Sequence, residues 1–196
     1  MNFNQNYSDE ELFQLIKKDN SNALKILFTR YYEKLCYFVF GFVKEENSSK
    51  ELVADVFIII WEKRKKIVID RKVKSYLYTT AKNLSLNHLR KNKIHFERID
   101  EVDQLMITMQ DYPDGSVNYK ELKNVIDSLI DKLPEKRKLI FRMNKFDELK
   151  YEEIAEILGI TVSTVRNQMI QAIKYMSSQY PALKKIMPFL VTIFFK

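Results

Sequence analysis

Residues 151–173 read YEEIAEILGITVSTVRNQMIQAI. Ile154, Ile157 and Leu158 lie at i, i+3 and i+4, which predicts the apolar face of a first helix. Gly159 tolerates the left-handed backbone that a tight turn between two helices requires. Because a second helical pattern follows directly, the segment predicts a helix-turn-helix.

The second helix of this motif has two contrasting faces, and Thr161 or Ser163 is expected to cap its start. Its apolar residues recur at i, i+4, i+7 and i+11 and predict the buried face. They are Val165, Met169, Ala172 and Met176. The other face carries hydrogen-bonding side chains of the kind that contact base edges and phosphates in the DNA major groove. The candidate DNA-binding residues are Ser163, Thr164, Arg166, Asn167, Gln168 and Lys174.

The composition favours an all-α fold. The 196 residues include only three glycines and four prolines, and the apolar spacing is helical over most of the chain. No long stretch alternates between apolar and polar residues, as a sheet would require. We therefore expect two small helical domains joined by a linker.

Charge changes sign in blocks along the chain. The net charge is +7, but residues 61–95 carry +9, residues 96–131 carry −6 and residues 132–195 carry +5. Two basic segments on either side of an acidic one are expected of a protein that binds a polyanion at two places.

Helix signals in the first half of the chain predict a bundle. Ser8 and Glu11 are spaced as a capping box at the start of a first helix. The next helix is the aromatic-rich segment Ala23–Lys44, whose aromatic side chains are assigned to the core. Ser48 or Ser49 is expected to cap a third helix, which buries Trp61.

A fourth helix, about Val73–Lys91, carries a second candidate nucleic-acid surface. Its cations attract phosphates, its aromatic residues stack on unpaired bases and its asparagines offer amides to base edges. The candidates are Tyr76, Lys82, Asn83, Asn87, Arg90 and Lys91. A basic amphipathic helix whose tyrosines belong to the core is the alternative.

The residues that catalysis or metal binding would need are missing from the sequence. Cys36 is the single cysteine, and the two histidines, His88 and His95, are too far apart for a metal pair. The three glycines do not form a phosphate-binding loop. We expect neither a metal, a cofactor, a small-molecule substrate nor an enzymatic activity.

Residues 96–118 are predicted to be an acidic linker, because six acidic residues face one basic residue and helical periodicity fades there. The predicted domains are therefore 8–95 and 119–180, followed by an apolar tail at 181–196. The start of the chain has no signal-peptide core, and the run Met187–Phe195 is far shorter than the roughly 20 residues that span a bilayer. A cytoplasmic protein is expected.

Three segments, in this order, resemble the extracytoplasmic-function group of the sigma-70 family of bacterial sigma factors. The first is Asp55-Val56-Phe57…Trp61. The second is Tyr76-Leu77-Tyr78…Ala81-Lys82-Asn83…Asn87…Leu89-Arg90. The third is Leu133-Pro134…Arg137…Phe141…Tyr151…Glu153-Ile154-Ala155…Leu158-Gly159…Val165-Arg166…Ala172. The apolar tail resembles those of relatives from Bacteroidetes-like bacteria.

The resemblance implies a role for each segment. The first would bind core RNA polymerase through Glu51, Asp55 and Phe57. Residues 73–93 would bind and help open the −10 promoter element, and the helix-turn-helix would bind the −35 element. The implied partners are core RNA polymerase, promoter DNA and a membrane-anchored anti-sigma factor.

Two other functions stay open at this point. A stand-alone helix-turn-helix regulator would dimerise through residues 10–66 and would shift promoter DNA without polymerase. A recombinase-like enzyme would use the motif only for targeting, but it needs a catalytic Ser or Tyr with clustered arginines, and the arginines here are scattered.

Overall fold

Helices form the regular structure of the protein in a computed structural model that describes residues 7–69, 72–92 and 126–179. No strand occurs within these three ranges, so the predicted all-α class is confirmed. Residue contacts divide the chain into two compact units, Met1–Glu97 and Arg98–Lys196. The predicted linker at 96–118 and the apolar tail at 181–196 lie outside the described residues.

The helices are numbered in chain order. The first unit contains α1 (Asp9–Lys17), α2 (Ser21–Val43), α3 (Glu46–Lys63) and α4 (Val73–Lys91). The second unit contains α5, described over residues 126–131, and then α6 (Glu135–Lys145), α7 (Tyr151–Leu158) and α8 (Val162–Gln179).

Helix α1 begins with the predicted capping box. The Ser8 hydroxyl accepts from the backbone N–H of Glu11 at 3.2 Å, and the Glu11 carboxylate accepts from the backbone N–H of Ser8 at 2.7 Å. The backbone N–H and the hydroxyl of Ser8 both donate to the Glu11 carboxylate, which holds the pKa of Glu11 below its ordinary value. The cap therefore fixes the start of the helix.

Helix α2 forms the centre of the first unit and packs on α1, α3 and α4. The Phe38 ring meets that of Tyr78 from α4 edge to face, with 5.0 Å between centroids. Most aromatic side chains of α2 are buried or half-buried, as predicted. Phe40 departs from the prediction because it is 41% exposed.

Helix α3 starts earlier than the sequence predicts, since Glu45 caps it in place of Ser48 or Ser49. The Glu45 carboxylate accepts from the backbone N–H groups of Asn47, at 2.8 Å, and Ser48. The buried Ser49 hydroxyl instead donates to the Glu45 carbonyl oxygen at 2.6 Å. The predicted serine cap is wrong because Glu45 caps the helix one turn earlier, so that Ser48 and Ser49 already lie within it.

The second unit is built on α6, which packs on α7 and α8, while α7 packs on α8. Pro134 directly precedes α6, and its carbonyl accepts from the backbone N–H of Lys138 at 2.8 Å. Proline suits this position because the first N–H groups of a helix have no intrahelical partner.

Candidate nucleic-acid and protein interfaces

The outer face of α3 is acidic, with one apolar residue among the carboxylates. Glu51, Asp55, Ile58 and Glu62 lie at i, i+4, i+7 and i+11, and all four are exposed. Ile58 is 52% exposed and was missed by sequence reasoning, although its spacing from Asp55 places it on this face. We call these four residues the α3 stripe. Carboxylates around an apolar centre suit a positively charged protein surface.

Phe57 belongs to the opposite side of α3, which corrects the expectation that it contacts a partner. The side chain is 4% exposed, and its ring meets that of Phe28 edge to face, 4.9 Å between centroids. The same face of the helix buries Val53, Val56 and Ile60. Phe57 therefore supports α3 from within the bundle.

Trp61 is half-exposed, so the expectation of a fully buried indole is also corrected. The Arg64 guanidinium lies over the ring at 4.1 Å from its centroid and forms an ion pair of 2.6 Å with Asp19. A cation–π contact thus covers the indole from the solvent side.

Helix α4 presents a row of polar residues at i, i+7, i+11 and i+14. Asn83, Asn87 and Arg90 are exposed, and Tyr76 is half-buried. We call these four residues the α4 stripe. No acidic residue occurs within α4, and its last turn carries His88, Arg90 and Lys91.

The two remaining candidates flank the α4 stripe. Lys91 is exposed at the end of the helix, whereas Lys82 is half-buried. Burial lowers the pKa of Lys82 from its ordinary value, because the charged ammonium loses solvent. Both cations are positioned to add positive charge beside the stripe.

A cleft of about 450 Å³ separates α3 from α4. Its lining includes two carboxylates of the α3 stripe and the basic end of α4. The lining residues are Glu51, Leu52, Asp55, Leu84, Asn87, His88, Arg90 and Lys91. Two sets of residues that the sequence assigns to different partners therefore border one depression.

The predicted helix-turn-helix is present in the second unit as α7 and α8. Gly159 ends α7 in the left-handed conformation, with φ of 74°. Thr161, one of the two predicted caps, accepts through its hydroxyl from the backbone N–H of Thr164 at 3.0 Å. The four predicted apolar residues of α8 are all buried. The turn and the cap together set the start of α8.

The outer face of α8 exposes most of the predicted DNA-binding residues. Ser163, Arg166, Asn167 and Lys174 are exposed. Ile170 lies on the same face and is 52% exposed, which its apolar character does not predict. Apolar side chains on such a helix contact the methyl group of thymine.

Arg166 also lies near the start of α7. Burial raises the pKa of Tyr151, and the positive charge of Arg166 acts on that pKa in the opposite direction. The guanidinium is therefore near Tyr151, the first residue of α7.

Two predicted residues are engaged within the protein. The Thr164 hydroxyl lies 2.9 Å from that of Thr161, so it takes part in the cap. Gln168 is half-buried, and its amide oxygen accepts from Nε of Arg137 in α6 at 3.0 Å. These contacts restrict what either side chain offers to a ligand.

Within the described ranges, His, Cys, Asp and Glu residues form no group of three that suits a metal ion. None of the described helices combines the length and apolar character that a bilayer crossing requires.

Comparison with known proteins places both units in one family. Residues 27–94 match Sigma-70 region 2, and residues 123–176 match Sigma-70, region 4. The ECF RNA polymerase sigma factor SigW of Bacillus subtilis is 32% identical over 165 residues, which cover 79% of this chain and 87% of that protein. The chain belongs to the extracytoplasmic-function group of the sigma-70 family.

Another relative also matches this sigma factor over most of the length of both chains. The ECF RNA polymerase sigma-E factor of Escherichia coli K12 is 25% identical over 175 residues, or 84% of this chain and 90% of that protein.

The solved structure of CnrH in complex with the cytosolic domain of CnrY has a TM-score of 0.55 at 19% identity and covers 89% of this chain and 97% of that one. RpoE in complex with the anti-sigma factor NepR, from Bartonella quintana, has a TM-score of 0.50 at 17% identity, with 78% and 93% covered. These structures share the fold.

Each surface described above falls within one of the two matched sigma regions. Region 2 contains the α3 stripe and the α4 stripe, and region 4 contains the helix-turn-helix. This sigma factor therefore directs core RNA polymerase to promoters. A stand-alone regulator is not favoured, because it would need region 4 but not region 2.

Proposed function

We propose that this sigma factor uses three surfaces in transcription initiation. The α3 stripe binds core RNA polymerase, the α4 stripe and its flanking lysines bind the −10 element as it opens, and the outer face of α8 binds the −35 element. The observation that carries the proposal is the separation of charge in the first unit, with exposed carboxylates on α3 and no acidic residue on α4.

In the polymerase interface, Glu51 and Asp55 supply negative charge and Ile58 supplies the apolar anchor. Exposed carboxylates steer a basic partner, and the anchor gives affinity when its surroundings lose water. Phe57 acts only by holding the helix in place. The direct contact with polymerase is therefore assigned to Ile58 and not to Phe57.

At the −10 element, the half-exposed Tyr76 ring stacks on an unpaired base, and Asn83 and Asn87 offer amide groups to base edges. Lys82, Arg90 and Lys91 attract the phosphates of the same strand. These groups for stacking, for base edges and for phosphates lie along one helix. Such an arrangement suits a separated strand, whose bases are unpaired, better than a duplex.

At the −35 element, Ser163, Arg166 and Asn167 are directed toward the major groove, and Lys174 contacts a phosphate. Arg166 is the residue assigned to base recognition because an exposed guanidinium pairs in two places with guanine. Thr164 contributes through the cap of the helix.

Run-off transcription tests the proposed function. Purified chain is mixed with core RNA polymerase on genomic fragments, and the start sites are mapped. We expect initiation at a restricted set of sites with related −35 and −10 sequences, and a shift of those fragments only when polymerase is present. A shift by the chain alone, without initiation, would instead support the stand-alone regulator.

We further propose that a membrane-anchored anti-sigma factor holds the chain inactive. Two structural neighbours are solved as complexes, CnrH with the cytosolic domain of CnrY and RpoE with the anti-sigma factor NepR. Polymerase binding and −35 binding should then disappear together. A pull-down from uninduced cells should recover one membrane protein with a short cytoplasmic domain, and full recovery of core polymerase alone would contradict this.

The site of action proposed for this sigma factor is the cytoplasm, where polymerase and promoter DNA meet, and its proposed role requires no catalytic group. A Bacteroidetes-like source is a proposal that rests on the resemblance of residues 181–196. Sequencing the neighbouring genes of the source genome checks it.

A further inference from the structure

Arg137 is a buried arginine next to the recognition helix α8. It lies in the first turn of α6 and is 4% exposed. An arginine side chain stays protonated in proteins, and a buried charge needs hydrogen bonds to offset its lost hydration. The guanidinium Nε donates to the amide oxygen of Gln168 at 3.0 Å. One nitrogen of a permanently charged group is therefore hydrogen-bonded to a side chain on α8.

This hydrogen bond changes what Gln168 offers to a ligand. A glutamine amide normally presents an acceptor and a donor side by side, which is the pattern that pairs with adenine. Here Arg137 engages the amide oxygen, and no residue of the described ranges accepts from the amide N–H groups. A hydrogen bond from a charged donor also polarises the amide and strengthens its N–H groups as donors. Gln168 therefore meets a ligand chiefly through its N–H groups.

The position of Gln168 on α8 favours a contact at the side of the groove. Ser163, Asn167 and Ile170 mark the centre of the exposed face, whereas Gln168 is half-buried and adjoins the buried residues at i−3 and i+4, Val165 and Ala172. In a major-groove complex, side chains at the flank of the helix meet the phosphates, and those at its centre meet the bases.

We propose that Gln168 contacts a phosphate of the −35 duplex through its amide N–H groups and reads no base, and that Arg137 is the positioning residue that imposes this. The inference rests on the proposed binding of the −35 element by α8. A phosphate oxygen only accepts hydrogen bonds, so it matches an amide that presents its N–H groups, and it is identical at every base pair. The pair contributes affinity but no sequence preference.

The test uses holoenzyme assembled from core polymerase and the full chain, on the strongest promoter fragment from run-off mapping. Gln168→Met should weaken binding roughly tenfold, and equally on every single-base variant of the −35 element. A methylphosphonate at one −35 phosphate should weaken the wild type by a similar factor and leave Gln168→Met unaffected. A change in base preference, or no change in affinity, would overturn the proposal.

Substitutions of Arg137 test its positioning role. Arg137→Met should lose as much affinity as Gln168→Met, with no further loss in the double variant, and Arg137→Lys should restore part of it because a charged donor returns. Gln171→Met is the matched control, since this exposed glutamine has no hydrogen bond to Arg137 and should show no coupling to it. Additive losses for Arg137 and Gln168 would overturn the role.

Thermal unfolding accompanies each measurement. If Arg137→Met does not fold, then Arg137→Lys and the methylphosphonate series with Gln168→Met decide the question. Failure of the wild-type holoenzyme to initiate would count against the proposed function, whereas initiation with an unaltered Gln168→Met would count against this inference alone.

Discussion

Phe57 and Ile58 are consecutive residues of α3 with opposite environments. Phe57 is 4% exposed within the bundle, whereas Ile58 is 52% exposed between acidic residues. One residue of a helix advances the side chain by about 100°, which is enough to separate a core position from a contact position. A side chain of this type therefore has one of two distinct roles, stability or recognition.

Substitutions at these two positions should separate the two roles. Phe57→Ala should lower the free energy of unfolding by about 3–5 kcal/mol, because it leaves a cavity. Ile58→Ala should change that free energy by less than about 0.5 kcal/mol, but it should weaken polymerase binding by more than about 1 kcal/mol. Urea unfolding and a polymerase titration measure the two quantities. Equal polymerase affinity of Ile58→Ala and wild type would remove Ile58 from the interface.

Asp55 tests the charge of the same surface. Asp55→Arg should reduce affinity for core polymerase by a few kcal/mol, since a like charge would face the basic partner. Helix content by circular dichroism should not change, because Asp55 is exposed. Glu33→Arg, the same change of charge at an exposed position of α2, is the control. If both variants bind alike, the effect reflects net charge and not the α3 stripe.

Arg166 and Lys174 should differ in the kind of loss that they produce. Arg166→Ala should cost on the order of 1–3 kcal/mol on the preferred −35 sequence and should relax the preference at one or two positions. Lys174→Ala should weaken binding evenly and reduce the dependence on salt, as expected of a phosphate contact. Competition assays with −35 variants measure both. An even loss for Arg166→Ala would assign it to the backbone.

At the scale of helices, the bounds of the elements are easier to predict from the sequence than the contacts between them. The capping box of Ser8 and the span of α4 follow from local spacing, and both are confirmed. The start of α3 is not predictable in the same way, because the Glu45 carboxylate accepts from the N–H groups of Asn47 and Ser48 one turn before the predicted caps. The exposure of Trp61 depends on Arg64 and Asp19, and that contact between helices has no local signature.

The turn of the helix-turn-helix depends on the backbone of Gly159. A Cβ at this position would meet no atom within 4 Å, so a substitution is penalised only by the φ of 74°. Gly159→Ala should therefore lower the stability of the second unit by about 1–2 kcal/mol. Gly159→Asn should cost less, because asparagine adopts this conformation more readily. Chemical unfolding checks the order, and equal losses for the two variants would contradict a purely conformational cause.

For the whole molecule, charge blocks and helix-turn-helix spacing predict two nucleic-acid surfaces, and the family comparison supports them. What sequence reasoning could not supply is which polar residues are already engaged. The contacts of Gln168 with Arg137 and of Thr164 with Thr161 join residues whose pairing depends on side-chain placement. Ile58 and Ile170 were not assigned to binding surfaces, because the sequence alone does not distinguish an exposed isoleucine from a buried one.

The proposed domain boundaries predict independent folding. Fragments 8–95 and 119–180 should each show a helical circular dichroism spectrum and a cooperative unfolding transition, since the contacts of the chain divide into two units. A mixture of the two fragments should unfold as the sum of its parts. Loss of cooperativity in either fragment would show that residues 96–118 or 181–196 are needed for folding.

The separation of faces on α8 makes this helix a suitable place to reprogram gene expression. Its buried residues are distinct from Ser163, Asn167 and Ile170, so these exposed positions can be randomised without rebuilding the core. Gln168 should be kept, because it is tied to Arg137 beneath the surface. A library over these three positions should then yield sigma-factor variants that each recognise a different promoter. Synthetic gene circuits need such variants when several sigma factors must operate in one cell without activating each other's promoters.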